Sequence, residues 1–221
     1  ITQIAAAAHE VGAIMVLDCI ASGCIWVNME ATGVDVLISA PQKGWSAAPS
    51  AGVVVMSPRA EARLAETDSN SFAMDLKKWR AIMAAYEGGG HAYHATMPTD
   101  AIVGFRDAML ETKAMGFAEA KAAQWELGRA VRGLLAGKGV PSVAAEGYQA
   151  PGVVVSYTDQ PDVQNGAKFR AQGLQIAAGV PLQVGEGPEF KTFRLGLFGL
   201  DKLKDVPATV ARLERAVEAV L

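Results

Sequence analysis

Residues 13–56 contain three short apolar runs, Ala13–Leu17, Val34–Ile38 and Ala51–Met56. The loops that join them carry an isolated aspartate and an isolated lysine. Apart from Asp35, each run is apolar at consecutive positions instead of every second one. That pattern predicts strands covered on both faces, as in a parallel or mixed α/β sheet. In open α/β sheets, ligands bind just beyond the carboxyl ends of the strands. Asp18 closes the first run. Lys43 lies in the loop after the second, within Ser39-Ala40-Pro41-Gln42-Lys43-Gly44-Trp45.

A carboxylate and an amine brought to one sheet edge point to pyridoxal phosphate. The lysine would form the Schiff base, and the aspartate would keep the pyridinium nitrogen protonated so that the ring takes up electrons. A lysine is ordinarily a solvated surface residue. This one sits between two apolar runs, where polar positions face a shared crevice. Displaced from the cofactor, it would serve as a general acid and base. Asp18 has a plainer alternative as a strand-end or capping residue. Its cofactor role requires an ionised carboxylate against a ring nitrogen, a charge-assisted hydrogen bond. Ile20 is placed either against the face of the ring or in ordinary core. Trp45 lines an entrance or packs in the core.

LDCIAS, then S-x-x-Q-K, then a loop of proline and small residues leading to a strand, resembles the class V, fold type I aminotransferases. Within them the similarity is to the alanine–glyoxylate and serine–pyruvate group. Tyr93-His94-Ala95-Thr96-Met97-Pro98 and Thr192-Phe193-Arg194-Leu195-Gly196 agree with it, so four motifs occur in the family's order. The resemblance implies that Gln42, Tyr93 and Thr96 contact the cofactor phosphate, with Tyr93 and Thr96 reaching a neighbouring subunit's site in a homodimer. It implies that Arg194 grips the substrate carboxylate. An arginine in a buried strand needs a partner, and its planar fork suits a carboxylate; a structural salt bridge is the alternative. The implied reaction moves an amino group from alanine or serine to glyoxylate or pyruvate. Cysteine desulfurases and related lyases of the same fold carry histidine before the lysine, where this chain has Gln42, and need a cysteine in the C-terminal half. Both cysteines here precede Lys43. A further alternative is a piece of such an enzyme that keeps the scaffold without turnover.

The sequence begins at Ile1 inside what reads as an amphipathic helix. The resemblance implies that part of the large domain precedes this point, carrying the Gly-rich phosphate turn, the aromatic residue stacked on the cofactor and much of the dimer interface. On this reading residues 1–115 are the C-terminal part of the cofactor-binding large domain, and residues 116–221 are a small α+β domain.

Composition excludes other classes. With 51% hydrophobic and 19% charged residues, the chain is globular rather than disordered. A net charge of −3 gives no basis for binding nucleic acid or an anionic membrane. No apolar run approaches the roughly 18–20 residues that span a bilayer, and the opening ITQIAAAAHEVG lacks the basic leader and cleavage site of a signal peptide. Cys19 and Cys24 are expected to stay reduced in a cytoplasmic protein. The spacing of His9, His91 and His94 matches no metal site, and all three are read as structural.

Periodicity predicts helices over Ile1–Val11, Ser57–Glu66, Asp75–Tyr86, Thr99–Met115, Phe117–Leu135 and Val163–Ala171, and a last one capped by Asp205. Strands are predicted at Val153–Tyr157, Gln175–Ala178 and Phe193–Phe198.

Overall fold

The computed structural model describes residues 1–221, and the chain divides into two units. The first comprises residues 1–20, 27–41 and 48–104. The second comprises 21–26, 42–47 and 105–221.

The first unit contains α1 (Thr2–Glu10), β1 (Val16–Asp18), α2 (Met29–Thr32), β2 (Val36–Ser39), β3 (Val53–Met56), α3 (Pro58–Ala65) and α4 (Leu76–Glu87). Its sheet runs β1-β2-β3. The first pair is parallel, with Val16 opposite Val36, and the second antiparallel, with Ser39 opposite Val53. The mixed sheet predicted from the apolar runs is present, but its strands are not sealed on both sides. Val16 is 47% exposed and Val55 47% exposed. An all-apolar run shows which faces avoid water, not what covers them.

Asp35, 3% exposed, ties this unit together. Its carboxylate receives Met15 N–H at 2.8 Å, pairs with His9 Nε2 at 2.7 Å and accepts from Ser57 Oγ at 3.2 Å. Burial alone pushes the Asp35 carboxyl up. The Met15, His9 and Ser57 hydrogen bonds, with the charge of His9, outweigh that and hold it below the ordinary value. Ser57 also caps α3 by accepting from Ala60 N, and Pro58 follows at the first helical position, as the Ser-Pro pair predicts. Asp75 caps α4 in the same way through Lys78 N.

α5 (Thr99–Met115) runs through Gly104–Phe105, where the units divide. The second unit continues with α6 (Phe117–Gly137), β4 (Val153–Tyr157), α7 (Pro161–Gln164), α8 (Ala167–Ala171), β5 (Ala177–Ala178), β6 (Thr192–Gly196), α9 (Leu200–Leu203) and α10 (Val206–Val220). Its sheet is antiparallel in the order β4-β6-β5. Leu127, Val131 and Leu135 of α6, Val154 of β4, Phe193 of β6 and Val217 of α10 form a core in which every one of these side chains is at most 1% exposed. At about 25 cal/mol per Å² of apolar surface buried, such side chains stabilise the unit by roughly 1.5–3 kcal/mol each.

Two predictions need correction here. The helix expected over Val163–Ala171 is two short ones, because Gly166 has φ of 77° and breaks the run. The strand expected at Gln175–Ala178 shrinks to two residues. Cys19 and Cys24 remain thiols and form no disulfide. No helix is long and apolar enough to cross a membrane.

Candidate active site

Lys43 lies in a turn whose backbone is fixed from several directions within the second unit. Gly44 packs flat on Gly23: a Cβ added at Gly44 would sit 2.2 Å from the Gly23 carbonyl oxygen and 2.6 Å from its carbon. Only glycine permits that approach. Cys24 Sγ lies 3.7 Å from the Gly44 carbonyl oxygen. Past the lysine, Ser46 N donates to Lys43 O at 3.1 Å. Ser46 itself adopts φ of 61°, unusual outside glycine. Its hydroxyl accepts Leu200 N at 3.0 Å and so engages the start of α9. Trp45 packs on Trp26 (ring centroids 5.0 Å apart) and on Phe105 (6.0 Å).

The Lys43 ammonium is half-buried and forms no ion pair; Nζ sits 5.7 Å from the centroid of the Phe198 ring. Gln42, its neighbour, is exposed. Sequence reasoning missed Phe198 and Ser46 as parts of this site. Their contacts join positions 155 and 154 residues apart in the chain, and no local pattern announces such pairs.

Arg194 stands in the middle of β6, opposite Val155 on one side and Ala177 on the other. Its Nε donates to Ala178 O at 2.8 Å, and it forms no ion pair with any carboxylate. The structural salt bridge weighed as the alternative is therefore not formed. A cavity of about 590 Å³ opens beside the same strand, lined by Thr192, Gly179, Glu186 and Phe190 among others. It includes none of the predicted site residues.

Asp18, Ile20, Tyr93 and Thr96 belong to the first unit. Asp18 ends β1 opposite Ile38, and its Oδ1 accepts Ile20 N at 2.9 Å, which folds the chain sharply off the strand. Ile20 is half-buried. Tyr93 and Thr96 come together: the two hydroxyls are 3.4 Å apart, both exposed. His94, between them, turns its ring away to Phe72 and Trp79.

Burial pushes the Cys24 thiol up to about 11. A thiol so protonated at neutral pH is a poor nucleophile.

Each unit by itself carries donors whose chemistry suits a phosphorylated aldehyde cofactor: the second an amine and an arginine without carboxylate partners, the first a strand-end carboxylate and paired exposed hydroxyls.

Comparison with known proteins bears on the whole chain. Residues 1–179 match the family described as Aminotransferase class-V. The chain is 26% identical, over 98% of its length, to 2-aminoethylphosphonate–pyruvate transaminase 2 of Paraburkholderia xenovorans, and covers 57% of that protein. It is 28% identical to alanine–glyoxylate aminotransferase 1 of Saccharomyces cerevisiae, over 84% of this chain and 49% of that one. Among solved structures, alanine–glyoxylate aminotransferase from Nostoc sp. superposes with a TM-score of 0.81 at 22% identity, covering 98% of this chain and 56% of that chain. The chain thus spans about half the length of the curated relatives it matches. The fold is the α/β fold type I of these aminotransferases. Four motifs in order, a match over residues 1–179 and a shared fold lead to one assignment: the chain belongs to the class V aminotransferase family.

Proposed function

We propose that this chain carries the catalytic lysine of a pyridoxal-phosphate-dependent aminotransferase, which transfers an amino group from alanine or serine to glyoxylate or pyruvate. The observation that carries the reading is Lys43: an amine with no ion pair, in a turn locked by the Gly23–Gly44 backbone contact and the Ser46–Leu200 hydrogen bond. A nucleophilic amine must be held without a carboxylate that would fix it as ammonium.

Pyridoxal phosphate, when bound, supplies the electron sink that stabilises charge at the substrate Cα. Lys43 would hold the cofactor through Nζ and, once released from it, would move the proton at the substrate Cα as general acid and base. Asp18 presents an anionic oxygen at the end of β1 and keeps the ring nitrogen protonated. Ile20 limits water beside it. Gln42, Tyr93 and Thr96 offer neutral donors to the phosphate, the latter two as a pair of hydroxyls. Arg194 has satisfied only Nε on the protein and grips the substrate carboxylate with its remaining donors.

On this reading residues 1–115 are the C-terminal part of the cofactor-binding domain, and residues 116–221 the small domain. The protein acts as a homodimer, with Tyr93 and Thr96 serving the neighbouring subunit; their exposure supports that. Two cysteines kept as thiols support a reducing, cytoplasmic setting. The lyase alternative loses support, because Cys24 is buried with its thiol raised to about 11.

A donor panel tests the reaction. With pyridoxal phosphate bound, alanine and serine are expected to convert the cofactor to its amine form, and glyoxylate or pyruvate to restore it. The P. xenovorans relative is named for a donor bearing a phosphonate; conversion by 2-aminoethylphosphonate alone would replace the carboxylate reading of Arg194. Conversion by no donor would leave the inactive-piece alternative standing for this chain.

A further inference from the structure

Residues 88–98, which carry Tyr93 and Thr96, form no helix or strand. Two exposed hydroxyls in irregular backbone bind an anion well only if something else holds them in place, because ordering the loop on binding costs conformational entropy. In this structure His94 supplies the hold. Its Nε2 lies 2.9 Å from Phe72 O, and since a carbonyl only accepts, that nitrogen carries the proton. The same ring packs on Phe72 (centroids 4.2 Å, tilted 36°) and meets Trp79 edge-on (5.1 Å, 76°). Trp79 in turn donates Nε1–H to the next carbonyl, Ala73 O, at 2.8 Å. Two ring N–H groups thus pin consecutive carbonyls of the 72–73 segment, and the two rings pack on each other. Asp75 fixes that segment to the start of α4 through Lys78 N. The His94–Phe72 bond is the only side-chain hydrogen bond joining residues 91–98 to another part of the first unit. His94 directly follows Tyr93 and precedes Thr96 by two, so clamping its ring sets the backbone from which both hydroxyls project.

We infer that His94 is a positioning residue for phosphate recognition: by clasping the Phe72–Ala73 segment together with Trp79, it holds Tyr93 and Thr96 as a preformed pair, without touching the phosphate itself. The inference rests on the proposal that Tyr93 and Thr96 are phosphate contacts.

The test compares affinities of the full chain for pyridoxal phosphate and for pyridoxal, which lacks the phosphate. Their ratio isolates phosphate recognition from binding of the ring. Tyr93→Phe combined with Thr96→Val should collapse the ratio; an unchanged ratio would overturn the phosphate assignment and the inference with it. Given that collapse, His94→Phe, which keeps an aromatic ring but removes the donor, should lower the ratio by about tenfold, the worth of one well-placed hydrogen bond. Its affinity for pyridoxal should be unchanged. His94→Gln, which retains an N–H donor, should recover part of the loss. An unaltered ratio in His94→Phe would overturn the positioning role while leaving the phosphate contacts standing. Equal weakening toward both ligands would overturn it too, since that is the mark of general destabilisation.

Discussion

Replacing Gly44 by alanine is the most demanding perturbation of the site. The added methyl carbon would lie 2.2 Å from Gly23 O, 2.6 Å from Gly23 C and 3.0 Å from Gly23 Cα. All three are backbone atoms, so no side chain can rotate aside, and one of the two strands of chain must move by about 1 Å to restore contact distance. Overpacking of this kind costs about 1–3 kcal/mol, and at roughly 2–4 °C per kcal/mol for a chain of this size the melting temperature should fall by several degrees. The displacement also moves Lys43, the adjacent residue, and a misplacement of about 1 Å in a catalytic group can cost on the order of 100-fold in rate. Gly133→Ala is the control: a Cβ there meets nothing within 4 Å in the interior of α6, and alanine should be neutral or stabilise by up to about 1 kcal/mol. Thermal unfolding with the yield of borohydride-trapped cofactor on Lys43 reads both effects. If Gly44→Ala matched Gly133→Ala in melting and in trapping, the claim that backbone contact with Gly23 sets the lysine would be refuted.

Asp35→Asn should destabilise the first unit by about 1–3 kcal/mol, the cost of disrupting a buried charged hydrogen-bond network. The sign with pH follows from its lowered folded value: its contribution is fully present above the ordinary carboxylate value of 3.8 and lost as pH falls through the folded one. Denaturant titrations from neutral to acid pH should show less acid destabilisation in Asp35→Asn than in the wild type; parallel curves would count against the hub. Arg194→Lys should raise KM for a carboxylate-bearing donor by about tenfold to a hundredfold, because a point charge cannot reproduce the bidentate fork, and steady-state kinetics with alanine would expose an unchanged KM. Cys24 should resist alkylation at neutral pH and react only as pH approaches its raised value of about 11. Rapid labelling of Cys24 in the folded chain, read by peptide mass, would contradict its burial.

Much of the architecture was legible wherever one local rule decided the outcome. Thr99–Met115 and Val153–Tyr157 form as their periodicity predicts, and Ser57, Asp75 and Asp205 all cap the helices that follow them. The short helices Met29–Thr32 and Leu200–Leu203 were not predicted, since four residues are too few to show a period. Their local signals existed: Asn28 accepts Ala31 N as a cap, and Gly33 closes α2 in the left-handed region. The break at Gly166 lay hidden in an otherwise helical run. In the candidate site, Lys43, Asp18 and Arg194 stand out in the sequence because they are charges within or beside apolar segments. The packing that holds them does not. Gly44 on Gly23, Ser46 on Leu200 and the Phe198 ring beside Lys43 are long-range pairs whose members look ordinary in their own neighbourhoods. The exposure of β1 and β3 was equally unreadable, because hydrophobicity states a preference and not a partner.

The most direct measurement is an absorbance titration of the chain with pyridoxal phosphate, followed by borohydride reduction and peptide mapping. A visible band that saturates, with the reduced cofactor found on the peptide containing Lys43 and lost in Lys43→Ala, is the predicted result. Cofactor spread over surface lysines, or bound equally well by Lys43→Ala, would contradict the account.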